Sequence, residues 1–531
     1  MVNMPTPDEF AALQHALAEA TQRNAALSGE LRVTRTERDL LKEQLNQFKR
    51  QLFAAKSEVL GTHQKDMFFN EAEVEGATAQ PAGEEADDDR VEVPAHKRAK
   101  RGRKPLDPAL PREVVRHELP EGERTCPHDG AALREIGVEV SEQLDIVPQQ
   151  VRVIRHERVK YACPCCDGGM RLAAKPPQVI PKGLLSEAAL AWVITSKYLD
   201  GLPLYRQAAL LGRFGGTQMS RNTLAASVVR VGQSVQPVIN VMRDQLLEAP
   251  LVFGDETELQ VLKEPGRKAQ AKSYVWAQMT QGSGSSASGP PIRLFAYSPS
   301  RSTQTARQLY AGMRSQGVLM SDGYEPYNAV AAEHNLVHLG CWAHCRRYFN
   351  DALQALPKDK RGPEQLPAQF LRLIAHLYKV EAEAREAGLD AVALKAQRNE
   401  RSVPVLDDLE RLLLAHLHGV LPGSLLGKAL HYMASQWAKL KRYVEDGTYP
   451  IDNNPCETAI RPFVVGRRNW LFADTVAGAN ASANLYSLLQ TCAANGIDGY
   501  RYLAAMLVAL PRATSIDDYE ALLPWRIQLG A

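Results

Sequence analysis

The order of strand and helix patterns after Pro250 most restricts the folds open to this chain. Three short stretches of alternating apolar and polar residues follow one another directly, and such alternation predicts strands. Two further strand patterns then alternate with helical patterns, so the predicted order is β-β-β-α-β-α-β-α. The ranges that carry this order are 251–254, 273–280, 292–298, 301–313, 318–320, 336–340 and a helix from about Trp342.

Two aspartates follow the first and fourth of these predicted strands. The first strand leads into Asp255 and the fourth leads into Asp322. The element order is that of the ribonuclease H fold, an α/β fold in which the first and fourth strands are neighbours. The two carboxylates are therefore expected to meet at adjacent strand ends. The alternative for each aspartate is a simple role in forming the turn after its strand.

A third carboxylate lies far along the chain, in the segment from Asp452 to Glu457. Two metal ions about 3.5–4 Å apart can activate the attacking oxygen and stabilise the leaving oxygen in phosphodiester displacement, and Mg²⁺ prefers oxygen ligands. Asp255, Asp322 and Glu457 are the candidate ligands. In the alternative interpretation, Asn454 caps a helix and Glu457 is the reciprocal partner of that cap. Asp452 is assigned to capping.

Chain length and helical pattern predict several domains. A chain of 531 residues is too long for one ordinary core. The interval between the second and third acids exceeds what one strand and one helix require, and 367–444 is strongly helical. This predicts an α-helical insertion at about 352–445 within an α/β catalytic domain at 249–475. A C-terminal helical region follows at 476–531.

Residues 1–60 carry two apolar series at heptad spacing, which predicts a coiled coil that forms a homodimer or a higher oligomer. Asn24 in one series is the kind of polar residue that sets register and oligomer state. The alternative is one amphipathic helix that packs on its own protein, because Gly29, Thr34 and Arg38 weaken the seam. The series are Phe10, Leu17, Asn24, Leu31, Arg38, Leu45, Leu52 and Leu13, Ala20, Leu27, Thr34, Leu41, Phe48.

Charge is distributed unevenly after the heptads, although the formal net charge of the whole chain is only +2. An acidic segment at 61–96 predicts a disordered linker because its hydrophobicity is low. The segment at 97–118 is basic and predicts an arm that lies in a narrow minor groove, where the potential attracts arginine. The alternative is a solvated linker. The candidate DNA contacts of the arm are Lys97, Arg98, Arg101, Arg103 and Lys104.

Cysteines at 119–182 predict a small zinc-binding module. Cys163 and Cys166 form a C-x-x-C pair, and Cys126 lies upstream, so three thiolates are available for one tetrahedral structural Zn²⁺. Asp129 stands where a second C-x-x-C would place its cysteine. His128 and Cys165 are chemically better but differently spaced, so the fourth ligand stays open. The alternative is a set of reduced cysteines in a small β-rich module.

An all-α region at 183–248 resembles a helix-turn-helix. Ser186 caps a run through Tyr198, a second helical run ends near Arg213, and another helix opens at Ser220 after a glycine break. In this motif the second helix enters the major groove with its N-terminus first. That geometry would place Arg221, Asn222 and Thr223 at base edges or phosphates, although the same spacing occurs in plain helical bundles. Arg221 and Asn222 are the candidate DNA contacts.

Seven short motifs are spread over nearly the whole chain: Arg50–Phe53 with Lys56–Glu58, Arg101–Leu106, the cysteine module, Asp255–Thr257, Ser321–Tyr324, Gly340–Arg347, and Ile451–Asn454 through Glu457 to Arg467–Phe472. On these motifs the chain resembles a DDE-type transposase of insertion-sequence family 66. The resemblance implies that Asp255, Asp322 and Glu457 are the catalytic acids, with two Mg²⁺ or Mn²⁺ ions. The chain departs from the family pattern at three positions: Asp129 replaces a zinc-ligand cysteine, Cys345 stands where the family often has alanine, and Thr458 stands where arginine is usual.

Basic residues follow the fifth predicted strand and the third acid, where cations could hold substrate phosphates. The alternative for each is a solvated basic face. These residues are His344, Arg346, Arg347, Arg461, Arg467 and Arg468.

The resemblance implies a transposase that binds terminal inverted repeats, hydrolyses the element ends and joins the 3′-hydroxyls to target DNA. Small accessory proteins of the same element are further expected partners. The alternatives are a DNA-binding regulator, a catalytically decayed transposase, or a ribonuclease H-fold nuclease without strand transfer. No apolar run approaches the ~20 residues that span a bilayer, and the N-terminus has no secretion signal. A cytoplasmic, nucleoid-associated bacterial protein is therefore expected.

Overall fold

The structure describes only short stretches of the chain before residue 176 and nearly all of it from 176 to 529. Residues 19–24 are helical, as are the described single positions up to 45. Several predicted features lie outside the described residues. They are most of the coiled coil, the acidic linker, the basic arm and the predicted zinc ligands Cys126, Asp129, Cys163 and Cys166. The computed structural model describes 19–24, single positions between 27 and 45, 151–157, 160–162, 170–172, 176–215, 219–282 and 289–529.

The first described elements are a short hairpin and four helices. Strand β1 (Lys160–Ala162) pairs antiparallel with β2 (Met170–Leu172). Ser186 caps the first helix and Ser220 caps the third, as predicted, because each hydroxyl accepts a hydrogen bond from a backbone N–H three residues later. The helices are α1 (Glu187–Tyr198), α2 (Leu204–Gly215), α3 (Arg221–Ser234) and α4 (Gln236–Leu247).

A mixed sheet follows, and its strands have the spatial order β5-β4-β3-β6-β7. Strands β3, β4 and β5 are antiparallel to one another, whereas β6 and β7 run parallel to β3. The predicted adjacency of the first and fourth strands is confirmed, since Phe253 of β3 pairs with Met320 of β6. The strands are β3 (Leu251–Lys263), β4 (Lys272–Met279), β5 (Arg293–Ser298), β6 (Val318–Ser321), β7 (Val337–Gly340) and β8 (Ala473–Thr475).

Strand β3 does not end at Asp255, which corrects the sequence prediction. Pairing with β6 stops after Phe253, but pairing with β4 continues to Gln260. The far end of β3 also pairs with β8, where Val261 is opposite Ala473. These partners extend β3 through Asp255 to Lys263, so the aspartate lies within a long strand, two residues past the last pair with β6.

Helices connect the parallel strands and extend beyond them. Helix α5 is shorter than the predicted 301–313: Ser302 caps its start by accepting a hydrogen bond from the Thr305 N–H, and the helix ends at Leu309. Within the described residues, no helix is both long enough and apolar enough to cross a membrane. The helices are α5 (Thr303–Leu309), α6 (Pro326–Glu333), α7 (Trp342–Ala355), α8 (Leu366–Glu386), α9 (Ala391–Arg401), α10 (Val403–His416), α11 (Leu425–Leu440), α12 (Asn454–Trp470), α13 (Val476–Ala494), α14 (Gly499–Ala509) and α15 (Ile516–Ala521).

Helices α8, α10 and α11 pack with α7 around an apolar cluster separate from the main core. Phe349 of α7 stacks on Phe370 of α8 with ring centroids 4.3 Å apart. The indole N–H of Trp342 donates to the carbonyl of Leu440 at 2.8 Å, which ties the start of α7 to the end of α11. The helical segment thus joins the sheet through the helix that follows β7.

Helix α13 covers the outer edge of the sheet at β5. The Ser487 hydroxyl accepts a hydrogen bond from the Phe295 N–H at 2.8 Å, and the Thr491 hydroxyl accepts one from the Arg293 N–H at 3.0 Å. An exposed strand edge offers unpaired N–H groups to other chains. These hydroxyls satisfy two of them within the same chain.

Candidate active site

Asp255 and Asp322 lie level with each other beside the β3–β6 pair. Phe253 is opposite Met320, so extending the parallel register by two residues brings Asp255 alongside Asp322. Asp322 directly follows β6 and begins a turn in which its Oδ1 accepts a hydrogen bond from the Tyr324 N–H at 2.9 Å. Gly323 supplies the φ of +94° that this turn requires. The carboxylate is therefore held both by its strand and by a local turn.

Glu457 lies in the first turn of α12, but not as a cap. The N-cap is Asn453 rather than Asn454, and its side chain makes no capping hydrogen bond, so the alternative in which Glu457 is the reciprocal partner of the cap is wrong. The Asn453 amide instead donates to the Gly254 carbonyl at 3.1 Å, which ties the start of the helix to β3. Asp452 does hold the helix start, as predicted, because its carboxylate accepts hydrogen bonds from the backbone N–H and the side chain of Asn454.

Burial and the negative charges of neighbouring acidic side chains raise the pKa of Asp255 and that of Glu457. Burial raises the pKa of Asp255 well above its ordinary value, and the negative charges of Asp322, Glu256 and Glu457 raise it further. Burial also raises the pKa of Glu457, and Asp322 adds to that rise while Arg347 opposes it. Segments that are far apart in the sequence are thus brought into electrostatic contact. Such a concentration of partly desolvated carboxylates is typical of a cation site.

Glu256 is a member of this acidic group that the sequence analysis missed. Its side chain is only 5% exposed, and burial followed by the Asp322 charge raises its pKa to about 7. The Tyr327 hydroxyl donates to its Oε2 at 3.0 Å, and Arg301 lies 3.8 Å from its Oε1. The available signal was a second acid directly after Asp255, at a position where a buried strand usually carries an apolar residue.

His344 faces Glu457 from the first turn of α7. Its Nδ1 lies 3.4 Å from the Glu457 Oε1 and 3.3 Å from the Cys341 Sγ. Burial and the nearby Arg347 lower the pKa of His344 to about 4, although Asp322 opposes this shift. The imidazole is therefore neutral at pH 7 and makes no ion pair with Glu457. This differs from the phosphate-binding cation that the sequence predicts.

The other predicted phosphate contacts occupy two helices beside the acids. Arg346 and Arg347 are exposed on α7. On α12, Arg468 is exposed, while Arg461 and Arg467 are half-buried. Arg467 also donates to the Thr257 hydroxyl at 3.3 Å, which ties it to β3.

Helix α11 supports the turn that carries Asp322. The Tyr432 hydroxyl donates to the Asp322 backbone carbonyl at 2.6 Å. Gly323 lies so close to Gln436 that a β-carbon there would come within 2.9 Å of the Gln436 side chain. The helical segment between the second and third acids therefore contacts the site directly.

Comparison with known proteins identifies the family. A family model described as "Transposase IS66 family" matches residues 182–481, more than half of the chain. The chain belongs to the IS66 transposase family. Further IS66-related models match at 123–167 (zinc-finger binding domain of transposase IS66), 40–115 (Transposase C of IS166 homeodomain) and 487–525 (IS66 C-terminal element).

Relatives of this IS66-family protein occur in Sinorhizobium fredii (strain NBRC 101917 / NGR234). "Uncharacterized protein y4jD" is 33% identical over 426 residues, which cover 78% of this chain and 81% of the relative. "Uncharacterized protein y4qI" is 33% identical over 446 residues, which cover 82% and 79% of the two chains. "Uncharacterized protein y4hP" is 28% identical over 431 residues, covering 80% and 76%.

The family assignment also covers the predicted zinc module. The matched zinc-finger domain spans 123–167 and so includes Cys126, Cys163 and Cys166 and every candidate for the fourth ligand. The IS66-family protein is therefore multidomain, with a zinc-finger domain, an N-terminal helical region and a mixed α/β catalytic region.

Proposed function

We propose that this chain is a DDE-type transposase that binds the terminal inverted repeats of its element, cleaves their ends and transfers the strands to target DNA. The observation that carries the proposal is geometric: the β3–β6 register brings Asp255 level with Asp322, and the hydrogen bond from Asn453 to Gly254 ties the start of α12, which carries Glu457, to the residue before Asp255. We assign these three residues as the catalytic acids.

The sheet supports a ribonuclease H-like assignment for the catalytic domain. The first three strands form an antiparallel meander, and the fourth and fifth lie parallel to the first on its other side. This arrangement places the first acid beside the second. Helices α8 to α11 form the insertion before the third acid.

The donor set fits Mg²⁺ or Mn²⁺. The three assigned side chains supply carboxylate oxygens. A bound hard cation would relieve the electrostatic repulsion among these carboxylates. Bound there, divalent metal would supply Lewis-acid activation of water and stabilisation of the leaving oxygen. The protein itself holds the acids: Asn453 ties α12 to β3, and Tyr432 fixes the Asp322 turn.

Exposed cations and helix ends support DNA binding. Arg346, Arg347 and Arg468 lie exposed on the two helices that carry His344 and Glu457. Arg221 and Asn222 are exposed at the N-terminus of α3, where a recognition helix would present them. We assign phosphate contacts to the first group and contacts with the terminal repeat to the second. The basic arm at 97–118 and the zinc site stay predictions.

Self-association through the N-terminal helix is part of the same proposal. Leu27, Leu41 and Leu45 lie on helical positions and are each more than half exposed. They belong to the two heptad series, and a second copy would bury them. Sedimentation of residues 1–60 should show a dimer or a higher oligomer, whereas a monomer would remove this part of the proposal.

The test is cleavage of DNA that carries an end of the element, by the purified full-length protein with Mg²⁺. Asp322→Asn should abolish cleavage while end binding persists, because only the metal ligand is lost. Glu258→Gln is the matched control, since Glu258 is an exposed acid on β3 that pairs with Lys272 at 2.7 Å. Unchanged cleavage by Asp322→Asn would overturn the catalytic assignment.

The same assay separates the alternatives. Specific end binding without cleavage by the wild-type protein would favour a DNA-binding regulator or a decayed transposase. Cleavage without products joined to target DNA would favour a nuclease. Cleaved ends joined to target through their 3′-hydroxyls are the expected result.

A further inference from the structure

Cys341, His344 and Glu457 form a mixed thiol, imidazole and carboxylate cluster. Their ligand atoms all lie within 4.8 Å of one another. Cys341 directly precedes α7, His344 is in the first turn of that helix, and Glu457 is in the first turn of α12. The cluster therefore lies where two helices begin side by side.

Backbone contacts fix these two helix starts relative to each other. The Trp342 N–H donates to the Ile451 carbonyl at 3.2 Å. The Asn453 N–H donates to the Cys341 Sγ at 3.2 Å. The sulfur and the carboxylate are thus carried on segments that are already tied together, so the cluster is preorganised by the fold.

Hydrogen bonding among the three side chains can satisfy only one of the two contacts made by the His344 Nδ1. The His344 Nδ1 approaches both the Cys341 Sγ and the Glu457 Oε1, at 3.3 and 3.4 Å. A neutral imidazole has either one proton or one lone pair on that nitrogen, so only one of the two contacts can be a good hydrogen bond. A cation among the three atoms would attract all of them at once.

The chemistry of the three atoms, and the two distances from the His344 Nδ1, suit one tetrahedral metal ion. With zinc bonds of about 2.0–2.1 Å to nitrogen and oxygen and about 2.3 Å to sulfur, neighbouring ligand atoms lie roughly 3.3–3.6 Å apart. Both contacts of the His344 Nδ1 are close to this range. Neutral histidine is the form that binds metal, and zinc deprotonates a coordinating thiol. The positive charge of Arg347 opposes a cation here, whereas Asp322 favours it.

We propose that Cys341, His344 and Glu457 bind a zinc-class ion, Zn²⁺ or Co²⁺, at a site distinct from the zinc finger. Mg²⁺ would not select it, because a thiolate and an imidazole are poor ligands for a hard cation. The three ligands leave a fourth position open, as in zinc sites that bind water.

The zinc-class site shares Glu457 with the proposed Mg²⁺ site, and this consequence rests on the proposed function. An ion held by Cys341 and His344 draws the Glu457 carboxylate towards α7 and away from Asp255 and Asp322. Zinc should therefore inhibit Mg²⁺-dependent cleavage, and a chelator that removes zinc should restore it. Zinc bound at the cluster would thus inhibit cleavage by withholding Glu457 from the Mg²⁺ site.

Cobalt binding to the full-length protein tests the site without any activity measurement. Co²⁺ bound to thiolate gives a charge-transfer absorption in the near ultraviolet. Co²⁺ bound to the zinc finger adds to this absorption. The wild-type protein should bind about one more equivalent of Co²⁺ than Cys341→Ala or His344→Ala. Cys345→Ala is the matched control, because Cys345 is a buried thiol on the same helix outside the cluster and should leave the count unchanged.

Retention of the zinc-finger cobalt signal and of the thermal unfolding transition shows that the variants are folded. Equal cobalt counts in the wild type and a folded Cys341→Ala variant would overturn the zinc-class site. In cleavage assays at fixed Mg²⁺, His344→Ala should need roughly tenfold or more zinc for half inhibition, since losing even an outer partner of a metal site costs about that much affinity. If the wild type never cleaves with Mg²⁺, the proposed function fails while the cobalt result stands.

Discussion

The Asn453 side-chain amide lies 3.1 Å from the carbonyl oxygen of Gly254, to which it donates a hydrogen bond. Gly254 directly precedes Asp255, and Asn453 is the cap of the helix that carries Glu457. One buried contact thus sets the spacing between the first and third acids. Gly254 itself has no room for a side chain, because a β-carbon would lie 2.2 Å from the Tyr310 hydroxyl.

Replacement of Asn453 should affect activity more than folding. Asn453→Ala removes a buried hydrogen bond, which costs about 1–3 kcal/mol of unfolding free energy when a partner is left unsatisfied. Cleavage should fall further than this loss of stability explains, because Glu457 is no longer held relative to Asp255. Asn480→Ala is the control, since that exposed amide donates to the Val476 carbonyl of its own helix. Normal cleavage by folded Asn453→Ala would contradict the prediction.

The Asp322 turn should depend on the hydroxyl of Tyr432. Tyr432→Phe removes a 2.6 Å hydrogen bond to the Asp322 carbonyl and should cost about 0.5–1.5 kcal/mol of unfolding free energy. The less constrained carboxylate should raise the Mg²⁺ concentration needed for half-maximal cleavage. Tyr348→Phe is a matched control, because Tyr348 stacks on Tyr432 with centroids 4.6 Å apart and keeps that contact without its hydroxyl. Equal Mg²⁺ requirements for the two variants would argue against a role for the hydroxyl.

His338 should make the protein less stable in acid. Burial, followed by the charges of Lys439 and Arg442, lowers the pKa of His338 to about 3, and its Nε2 lies 2.8 Å from the Ser321 hydroxyl. The unfolded chain, with an ordinary pKa near 6.5, binds the proton first as pH falls. Stability is therefore full above about pH 6.5 and declines between there and about pH 3.

At pH 5 this group should cost about 2 kcal/mol of unfolding free energy relative to pH 8. His338→Gln should remove about that much of the acid sensitivity, which denaturation at the two pH values will measure. An identical pH dependence in wild type and variant would show that another group is responsible.

The stability of the helical segment formed by α8 to α11 should depend on the buried ion pair between Arg398 and Glu381. The Arg398 side chain is 2% exposed, donates to both Glu381 carboxylate oxygens at 2.8 Å, and also donates to the Tyr443 carbonyl at 2.7 Å. Arg398→Met leaves the Glu381 carboxylate buried without its partner, which should cost about 3–5 kcal/mol. Hydrogen exchange of α8 and α9 should accelerate accordingly. Lys379→Ala, which removes an exposed pair with Glu383, should cost under about 1 kcal/mol.

Local patterns predicted the elements well where neighbours along the chain decide the outcome. Ser186 and Ser220 cap helices at the expected positions, because capping needs only the next few backbone N–H groups. The strands at 272–279 and 293–298 also match the alternating pattern closely. The length of β3 was underestimated because its partners were not visible in the local pattern: β4 pairs with it through Asp255 to Gln260, and β8, from the end of the catalytic region, pairs with its far end at Val261 and Lys263.

At the site, the sequence also could not predict the surroundings of Glu457 and His344. Spacing alone left Glu457 as either a metal ligand or the reciprocal partner of an Asn454 cap, but the helix begins with Asn453 as its N-cap, so the glutamate does not have that capping role. His344 resembled a cation because its sequence neighbours are arginines. Burial and the charge of Arg347 instead keep it neutral.

By itself, the sequence determined the order of elements, the identity of Asp255, Asp322 and Glu457 as candidate acids, and the family. These depend on residue type and on short-range periodicity, which the chain carries before it folds. Only the tertiary structure decided that Glu256 joins the acids, that α11 holds the Asp322 turn, and that Cys341 and His344 face Glu457. Those relationships arise from burial and contacts between distant segments, whose energies depend on the surroundings that folding creates.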